Sequence, residues 1–392
     1  MADSDVQAPG TDSVPEVPER VWPYWLGCLA AVYGLIVTVD LLGLGFQSLL
    51  GPQAELLLTL AANPWLGLLL GILATALVQS SSVVTSLLVA LVATGLPLAT
   101  AIPVVMGANL GTTITNTLVS LGYLGSDEEF EQGFAAATIH DCFNLMALVL
   151  FFPLELWLHP LEVGSRWLQT TGQDVILALS PAAAPSVLSP LLWPARTAMV
   201  YGVNRLSGPW DSLLLFGGSV GGLMISITAL GWCLKRLLSA QIKTVVQRTL
   251  GGGSGLGILT GAGATALLQS SSMVTSLMIP LAGTGAATLE QIYPFVLGAN
   301  IGTAVTALLA AATTGSGVAL QLALVHLLYN ALGVMVIYGL PVLRSLPLNA
   351  ARRLAGASRR YRIIPVAYVT GLFFGLPFGA LWLSAMTSGA AP

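Results

Sequence analysis

Charged side chains are scarce in this chain of 392 residues. Lysine, arginine, aspartate and glutamate together make up 8% of the sequence, against about 25% in a typical soluble domain. Apolar residues reach 55%, and the mean hydropathy is +0.84. This composition excludes a soluble globular domain, and the lack of a basic patch argues against nucleic acid as a partner. The chain is predicted to be a polytopic membrane protein in contact with a lipid bilayer.

Cysteine is rare as well. Cys28, Cys142 and Cys233 each lie in an apolar run, and none has the spacing of a metal site. We therefore expect reduced cysteines that pack against apolar neighbours. The N-terminus lacks the basic stretch of a signal peptide, so the first apolar run is expected to remain as a membrane span.

Long apolar runs are abundant, and they have the length of helices. Transmembrane helices need about 20 residues, whereas the strands of a membrane barrel need about 10. The predicted spans are 22–46, 98–121, 133–152, 211–233, 290–312, 318–343 and 363–387. We expect a disordered acidic tail (1–21), a first repeat (22–155), a proline-rich external connection (156–210), a second repeat (211–362) and a C-terminal span with its tail (363–392).

A duplicated segment organises these spans. Residues 75–95 and 265–285 share 14 of 21 positions, including an identical Gln-Ser-Ser-Ser sequence that begins at Gln79 and at Gln269. A run of about thirty residues with a polar centre is predicted to form two half-helices that turn back as a re-entrant hairpin. Two further elements recur in the same order, namely 107–115 with 298–306, and 140–144 with 326–330.

The basic residues predict the orientation of these repeats. Ten of the 14 lysines and arginines lie in 234–250 and 344–362, and the positive-inside rule places both segments in the cytoplasm. If each hairpin enters and leaves on one side, 122–132 and the N-terminus are internal and 153–210 is external. The two hairpins then open to opposite sides. The predicted fold is therefore all-α, with two inverted-topology repeats that contain re-entrant hairpins and broken transmembrane helices.

The polar residues of the repeats suit ion binding. Half-helix N-termini offer N–H groups to an anion, while freed carbonyls and the oxygens of Ser, Thr and Gln suit Na⁺. No lysine or arginine lies in 64–152 or 251–343, so a bound dianion would need co-bound cations. Helix packing by small polar residues is the structural alternative. A nucleophilic serine would need a positioned base, and no such motif surrounds either triplet, so an enzyme is not expected.

Asp141 breaks the symmetry between the copies, because Leu327 occupies its place in the second. An intramembrane carboxylate predicts a functional site, although a structural partner for His140 or a buried helix end is the alternative. A histidine recurs with an asparagine one helical turn later in both copies. We interpret these residues as hydrogen-bonded supports of the site, and they are His140 with Asn144 and His326 with Asn330.

Residues 101–117 and 135–144, together with the paired Gln-Ser-Ser-Ser segments, resemble the type II sodium-dependent phosphate cotransporter family. The resemblance covers about half of the chain and implies alternating-access transport. It also implies that one group of residues surrounds phosphate: Ser81, Ser82, Asn109, Ser271, Ser272 and Asn300. Ala108 and Ala299 depart from the serine that animal members carry, so one hydroxyl is missing from each copy.

The resemblance further implies three sodium sites. One would comprise Gln269, Ser270, Thr303 and Thr306, and a symmetric second would comprise Gln79, Ser80, Thr112 and Thr115. An Ala-x-Ala-x-x-x-Asp pattern marks electrogenic members, and Ala135, Ala137 and Asp141 match it, which implies that Asp141 binds an additional Na⁺.

The predicted function is Na⁺-coupled, electrogenic import of divalent inorganic phosphate across the plasma membrane, which in a bacterium is the inner membrane. No cofactor is expected besides the transported Na⁺. Another oxyanion or a dicarboxylate is the alternative cargo, and a channel or receptor built from the same broken helices is the alternative class. The sequence leaves a homodimer open.

Overall fold

The computed structural model describes residues 20–49, 63–121, 127–179 and 210–387, with a few isolated positions between 193 and 201. This part of the chain contains helices and no strand, which confirms the all-α prediction. Seven of its helical segments are long and apolar enough to cross a membrane. The predicted acidic tail and most of the proline-rich connection lie outside the described residues.

The helices follow one another in a simple order. Those of the first half are α1 (Trp22–Leu49), α2 (Pro64–Val78), α3 (Ser81–Ala93), α4 (Leu98–Gly111), α5 (Ile114–Ser120), α6 (Asp127–Leu158) and α7 (Pro160–Leu179). Those of the second half are α8 (Trp210–Thr249), α9 (Ser254–Leu268), α10 (Ser271–Ser276), α11 (Met278–Gly283), α12 (Leu289–Gly302), α13 (Ala304–Thr314), α14 (Gly317–Gly333), π1 (Val334–Tyr338), α15 (Pro341–Arg360), α16 (Ile364–Val369), π2 (Thr370–Gly375) and α17 (Leu376–Thr387).

The span predicted at 98–121 agrees with the candidate span Leu98–Ser120. It is interrupted near its middle, because α4 ends at Gly111 and α5 begins at Ile114. Residues 127–132, which lie outside the predicted spans, belong to α6, and the first turn of this helix contains Asp127, Glu128 and Glu129. Acidic side chains are favourable there because the N-terminal end of a helix dipole is positive.

The two basic segments are helical as well. The span predicted at 211–233 and the basic segment 234–250 form one helix of 40 residues, α8. The basic segment 344–362 is largely the amphipathic helix α15. Arg359 of α15 pairs with Glu131 at 2.9 Å, and Arg362 pairs with Asp127. These ion pairs connect α15 and the residues after it to the start of α6.

Each Gln-Ser-Ser-Ser segment interrupts a helix in the same way. Gln79 and Gln269 adopt the left-handed conformation, with φ of 58° and 54°. The next residue is extended, and the hydroxyl of Ser80 or Ser270 accepts the N–H of the residue three positions later. The glutamine ends the first helix and the serine caps the second, so the predicted helix breaks are confirmed.

Close helix packing fixes the direction of the helices around each break. Gly107 of α4 lies against Leu68 of α2, and Gly111 lies against Ile72. The contact partner on α2 moves toward the C-terminus as the contacting residue on α4 does, so α2 and α4 run parallel. Since α3 connects them and is joined to α4 by four residues, 94–97, α3 must run in the opposite direction. The contacts therefore support the predicted helical hairpin of α2 and α3.

The second copy repeats this packing. Gly298 of α12 lies against Ile258 of α9, and Gly302 lies against Ala262. The parallel pair is again connected by a returning segment, here α10 and α11, which are joined through the helical residue Leu277. The second hairpin therefore has the same internal geometry as the first.

The two hairpins reach opposite ends of α6. Trp65, at the start of the first hairpin, packs edge-on against Phe152 with ring centroids 4.9 Å apart. Gly283, at the end of the second hairpin, lies against the backbone of Glu129 in the first turn of α6. These contacts support the inverted arrangement of the repeats. Insertion of the hairpins into a bilayer as re-entrant segments stays a prediction.

We expect Gly261→Ala to destabilise the protein, because a Cβ at this position would lie 2.0 Å from the carbonyl oxygen of Phe295. Such overpacking costs about 1–3 kcal/mol of unfolding free energy. Gly263→Ala is the matched control on the same helix, where no atom lies within 4 Å of the added Cβ. Denaturant unfolding in detergent measures both, and equal stabilities would contradict the close packing.

Candidate functional site

Each helix break is linked to a neighbouring helix by a glutamine–threonine hydrogen bond. Thr115 Oγ1 of α5 donates to Gln79 Oε1 at 3.0 Å, and Thr306 Oγ1 of α13 donates to Gln269 Oε1 at 2.7 Å. The structure therefore brings together these members of the two predicted sodium sets. Gln79 is exposed and Gln269 is buried, so the two breaks differ in their access to the surroundings.

The remaining members of these sets have other partners. Ser80 and Ser270 cap α3 and α10. Thr112 Oγ1 donates to the carbonyl of Ala108, and Thr303 Oγ1 donates to the carbonyl of Asn300. Thr112 caps the C-terminal end of α4, and Thr303 caps the C-terminal end of α12. Their hydroxyls therefore donate to helix carbonyls and not to the glutamines, and Thr303 Oγ1 also accepts from Asn330 Nδ2 at 3.4 Å.

The serines predicted to surround phosphate occupy the first turns of α3 and α10. Ser81, Ser82 and Ser271 are buried, and Ser272 is partly exposed. Within the described residues, none of their hydroxyls donates a hydrogen bond to the protein. A first helical turn also has N–H groups without intrahelical partners. Hydroxyl and N–H donors are therefore clustered at both breaks.

A reciprocal pair of histidine–asparagine bonds connects the repeats. His140 Nε2 of the first repeat lies 3.1 Å from Asn300 Oδ1 of the second, and His326 Nε2 of the second lies 3.3 Å from Asn109 Oδ1 of the first. All four side chains are about 1% exposed. The neutral tautomer with hydrogen on Nε2 lets each histidine donate to its asparagine.

Two further asparagines extend this network. Asn144 Oδ1 accepts hydrogen bonds from Asn109 Nδ2 at 3.3 Å and from Asn300 Nδ2 at 2.8 Å. Asn330 Oδ1 also accepts from Asn300, at 3.2 Å. The structure brings the two histidines, Asn144 and Asn330 into one network with Asn109 and Asn300, and their predicted supporting role stays a prediction. Asn109 and Asn300 direct their amides to protein groups, so contact with phosphate would require these bonds to exchange.

Asp141 lies completely buried in α6. Its Oδ2 accepts hydrogen bonds from Thr117 Oγ1 at 3.1 Å and from Tyr368 OH at 2.9 Å. Its Oδ1 is buried without a hydrogen-bond partner. Neither Thr117 nor Tyr368 is among the site residues predicted from the sequence. Comparison of the two copies could have found Thr117, because Leu308 occupies the same place in the second copy.

A direct hydrogen bond between the repeats was also missed. Asn116 Nδ2 of α5 donates to Thr275 Oγ1 of α10 at 2.7 Å, and both side chains are buried. Thr275 in turn donates to the carbonyl of Ser271 at 2.7 Å. Asn116 is replaced by Ala307 in the second copy. The contact therefore joins a position that is polar only in the first repeat to the second hairpin.

Duplicated broken helices that face each other across a buried polar layer are the construction of a secondary transporter. Comparison with known families gives a specific assignment. The model of the Na⁺/Pi-cotransporter family matches residues 35–158 and 223–346, one match in each half of the chain. The chain belongs to the Na⁺/Pi-cotransporter family. The predicted resemblance is confirmed, and the double match supports the predicted repeat.

Curated relatives agree with this assignment. The chain is 31% identical to sodium-dependent phosphate transport protein 2B of Homo sapiens over 91% of its own length and 64% of that protein. It is 30% identical to sodium-dependent phosphate transport protein 2A of Ovis aries over 91% of its length and 67% of that protein. The chain thus spans about two thirds of these relatives, 64% for the first. No solved structure matches it significantly.

We expect Asn144→Leu to destabilise the protein, because Asn109 and Asn300 would lose their shared acceptor. A buried polar group without a partner costs about 1–3 kcal/mol. Leu145→Ala, at the neighbouring exposed position of the same helix, serves as the control. The free energy of unfolding in detergent is the measurement. A value for Asn144→Leu equal to that of the parent protein would contradict the role of the network.

Proposed function

We propose that the chain is a secondary active transporter that imports divalent inorganic phosphate together with Na⁺ by alternating access. The observation that carries the proposal is the glutamine–threonine contact at each helix break, Gln79 with Thr115 and Gln269 with Thr306. Each contact places amide and hydroxyl oxygens beside interrupted helix ends, where secondary transporters coordinate Na⁺. The relatives' names, sodium-dependent phosphate transport proteins, support the same cargo here.

Phosphate binds between the two hairpins in this proposal. Ser81, Ser82, Ser271 and Ser272 supply hydroxyl groups, and the first turns of α3 and α10 supply N–H groups and the positive ends of helix dipoles. No lysine or arginine lies in either repeat core, 64–152 or 251–343. Co-bound Na⁺ is therefore needed to neutralise a dianion in this buried environment, which couples the two cargoes.

The proposed sodium sites are built around the breaks. Gln269, Ser270, Thr303 and Thr306 form one site, and Gln79, Ser80, Thr112 and Thr115 form its symmetric counterpart. The Gln–Thr bond of each set supports this grouping. Na⁺ would bind the lone pairs that the oxygens of Thr112 and Thr303 keep after donating to a helix carbonyl, so these hydrogen bonds need not break.

Asn109 and Asn300 belong to the phosphate site in this proposal, and the histidine–asparagine network holds them. His140 and His326 each bond the asparagine of the opposite repeat. A phosphate contact would release an amide from Asn144. Phosphate binding would then change the hydrogen bonds at the interface of the repeats, as alternating access requires.

The proposed orientation places α15 and the end of α8 in the cytoplasm, with the N-terminus on the same side of the plasma membrane. Two ion pairs of α15 support placing these ends of the two repeats on the same side of the membrane. Arg352 pairs with Glu290 of the second repeat, and Arg359 pairs with Glu131 of the first. The proposed domain boundaries stay those of the two repeats (22–155 and 211–362), the tail (1–21), the external connection (156–210) and the final span (363–392). No catalytic residue and no cofactor enter this proposal.

Uptake of labelled phosphate into liposomes that contain the purified protein tests the function. We expect an inward Na⁺ gradient to drive accumulation, because the site has no fixed positive charge to hold the dianion. A choline gradient of equal size is the control. Uptake that is equal in choline would eliminate cotransport and favour a channel. Stronger competition by sulfate or a dicarboxylate than by unlabelled phosphate would change the assigned cargo.

Asp141→Gly tests the proposed third sodium site. We expect phosphate uptake that no longer responds to membrane potential, because one coupled positive charge is lost with the carboxylate. Glu128→Gln, an exposed acid on the same helix, is the control. The measurement is uptake at potentials set by K⁺ and valinomycin. A variant that retains the potential dependence of the parent would refute the role of Asp141.

A further inference from the structure

The environment of Asp141 is unusual for a carboxylate in a membrane span. The side chain is 0% exposed, and among the described residues no lysine, arginine or histidine forms an ion pair with it. An isolated buried charge is costly. The group therefore needs a cation to remain ionised, and the proposed function supplies Na⁺.

The two oxygens of this carboxylate have different surroundings. Oδ2 accepts two hydroxyl hydrogens, from Thr117 and from Tyr368, whereas Oδ1 is buried and accepts none. Both hydroxyls point their hydrogens at Oδ2, so the lone pairs of the hydroxyl oxygens remain available. Oδ1 is therefore the oxygen of this carboxylate that is left without a hydrogen-bond partner in the protein.

Tyr368 comes from outside the duplicated part of the chain. It lies on α16 in the last candidate span, beyond the second family match, which ends at residue 346. This span is the least buried of the seven among the described residues. Its hydrogen bond to Asp141 is therefore a specific polar link between a peripheral helix and the core of the first repeat.

We propose that Tyr368 positions the Asp141 carboxylate for Na⁺ and thereby makes the last span part of the charge-coupling site. The inference rests on the proposed function, because it concerns the third sodium site. By holding Oδ2, the phenol turns Oδ1 toward the bound ion, and its own oxygen is placed beside the same carboxylate. Thr117 holds Oδ2 from α5 in the same way.

The helix geometry after Tyr368 connects the site to the rest of the last span. The wide π-helix π2 begins at Thr370, two residues after the tyrosine, and such segments often occur at functional positions. The Tyr368 ring packs edge-on against Phe373 of π2, with centroids 6.1 Å apart and Phe373 fully buried. The phenol that bonds Asp141 is therefore packed against π2.

Tyr368→Phe tests this role because it removes the hydroxyl and keeps the ring. We expect the Na⁺ concentration for half-maximal phosphate uptake to rise about tenfold, the typical effect of losing a hydrogen bond to a charged group. At saturating Na⁺ the half-saturating phosphate concentration should stay unchanged. Tyr361→Phe, at an exposed tyrosine near the start of the same span, is the matched control and should behave like the parent.

A double variant separates positioning from general stability. In the Asp141→Gly background, Tyr368→Phe should cause no further change in Na⁺ dependence, because the group that it positions is absent. The same shift in both backgrounds, or no shift in the parent background, would overturn the inference. A parent protein without Na⁺-driven uptake would instead refute the proposed function, and it would remove the basis of this inference with it.

Discussion

The structure depends on side chains that satisfy the backbone hydrogen-bonding groups at two helix breaks in an apolar environment. In hydrocarbon a backbone N–H or C=O without a partner costs several kcal/mol, so a break is stable only where side chains take over. At both breaks the glutamine donates to a carbonyl of the preceding helix and accepts from a threonine of a neighbouring helix. The serine that follows caps the next helix. The groups that make the breaks stable are thus the ones proposed to bind Na⁺.

Close packing of small residues holds the hairpins around these breaks. Gly71 and Gly261 would each place a Cβ 2.0 Å from a carbonyl oxygen of the parallel helix. Without side chains at these positions, backbones can approach and van der Waals packing can replace the hydrophobic effect, which is weak between helices in lipid. The polar layer is therefore held by apolar contacts that leave its side chains free to exchange partners.

The two repeats share a scaffold but differ in polarity around Asp141. Asn116, Thr117 and Asp141 are polar in the first repeat, and their counterparts are Ala307, Leu308 and Leu327. The first two side chains contact Thr275 of the second hairpin and Asp141, respectively. The difference between the copies therefore marks one connected region, which extends from the buried carboxylate to the second hairpin.

The sequence by itself determined the class of the fold, the two repeats and the position of each break, because these follow from composition, internal identity and the rarity of polar side chains in long apolar runs. It also singled out Asp141, His140 and His326, whose functional roles stay predictions. It did not predict that α8 and α15 continue as helices through the basic segments, since amphipathic segments at a membrane surface lack the apolar signal of a span.

Only the tertiary structure decided which polar groups bond one another. His140 bonds Asn300 and His326 bonds Asn109, across 160 and 217 positions of sequence. Tyr368 reaches Asp141 from the last span, where neither repetition nor composition distinguishes it. Such partners depend on how helices from distant parts of the chain pack. The sequence around a hydroxyl or amide does not indicate which group it will bond.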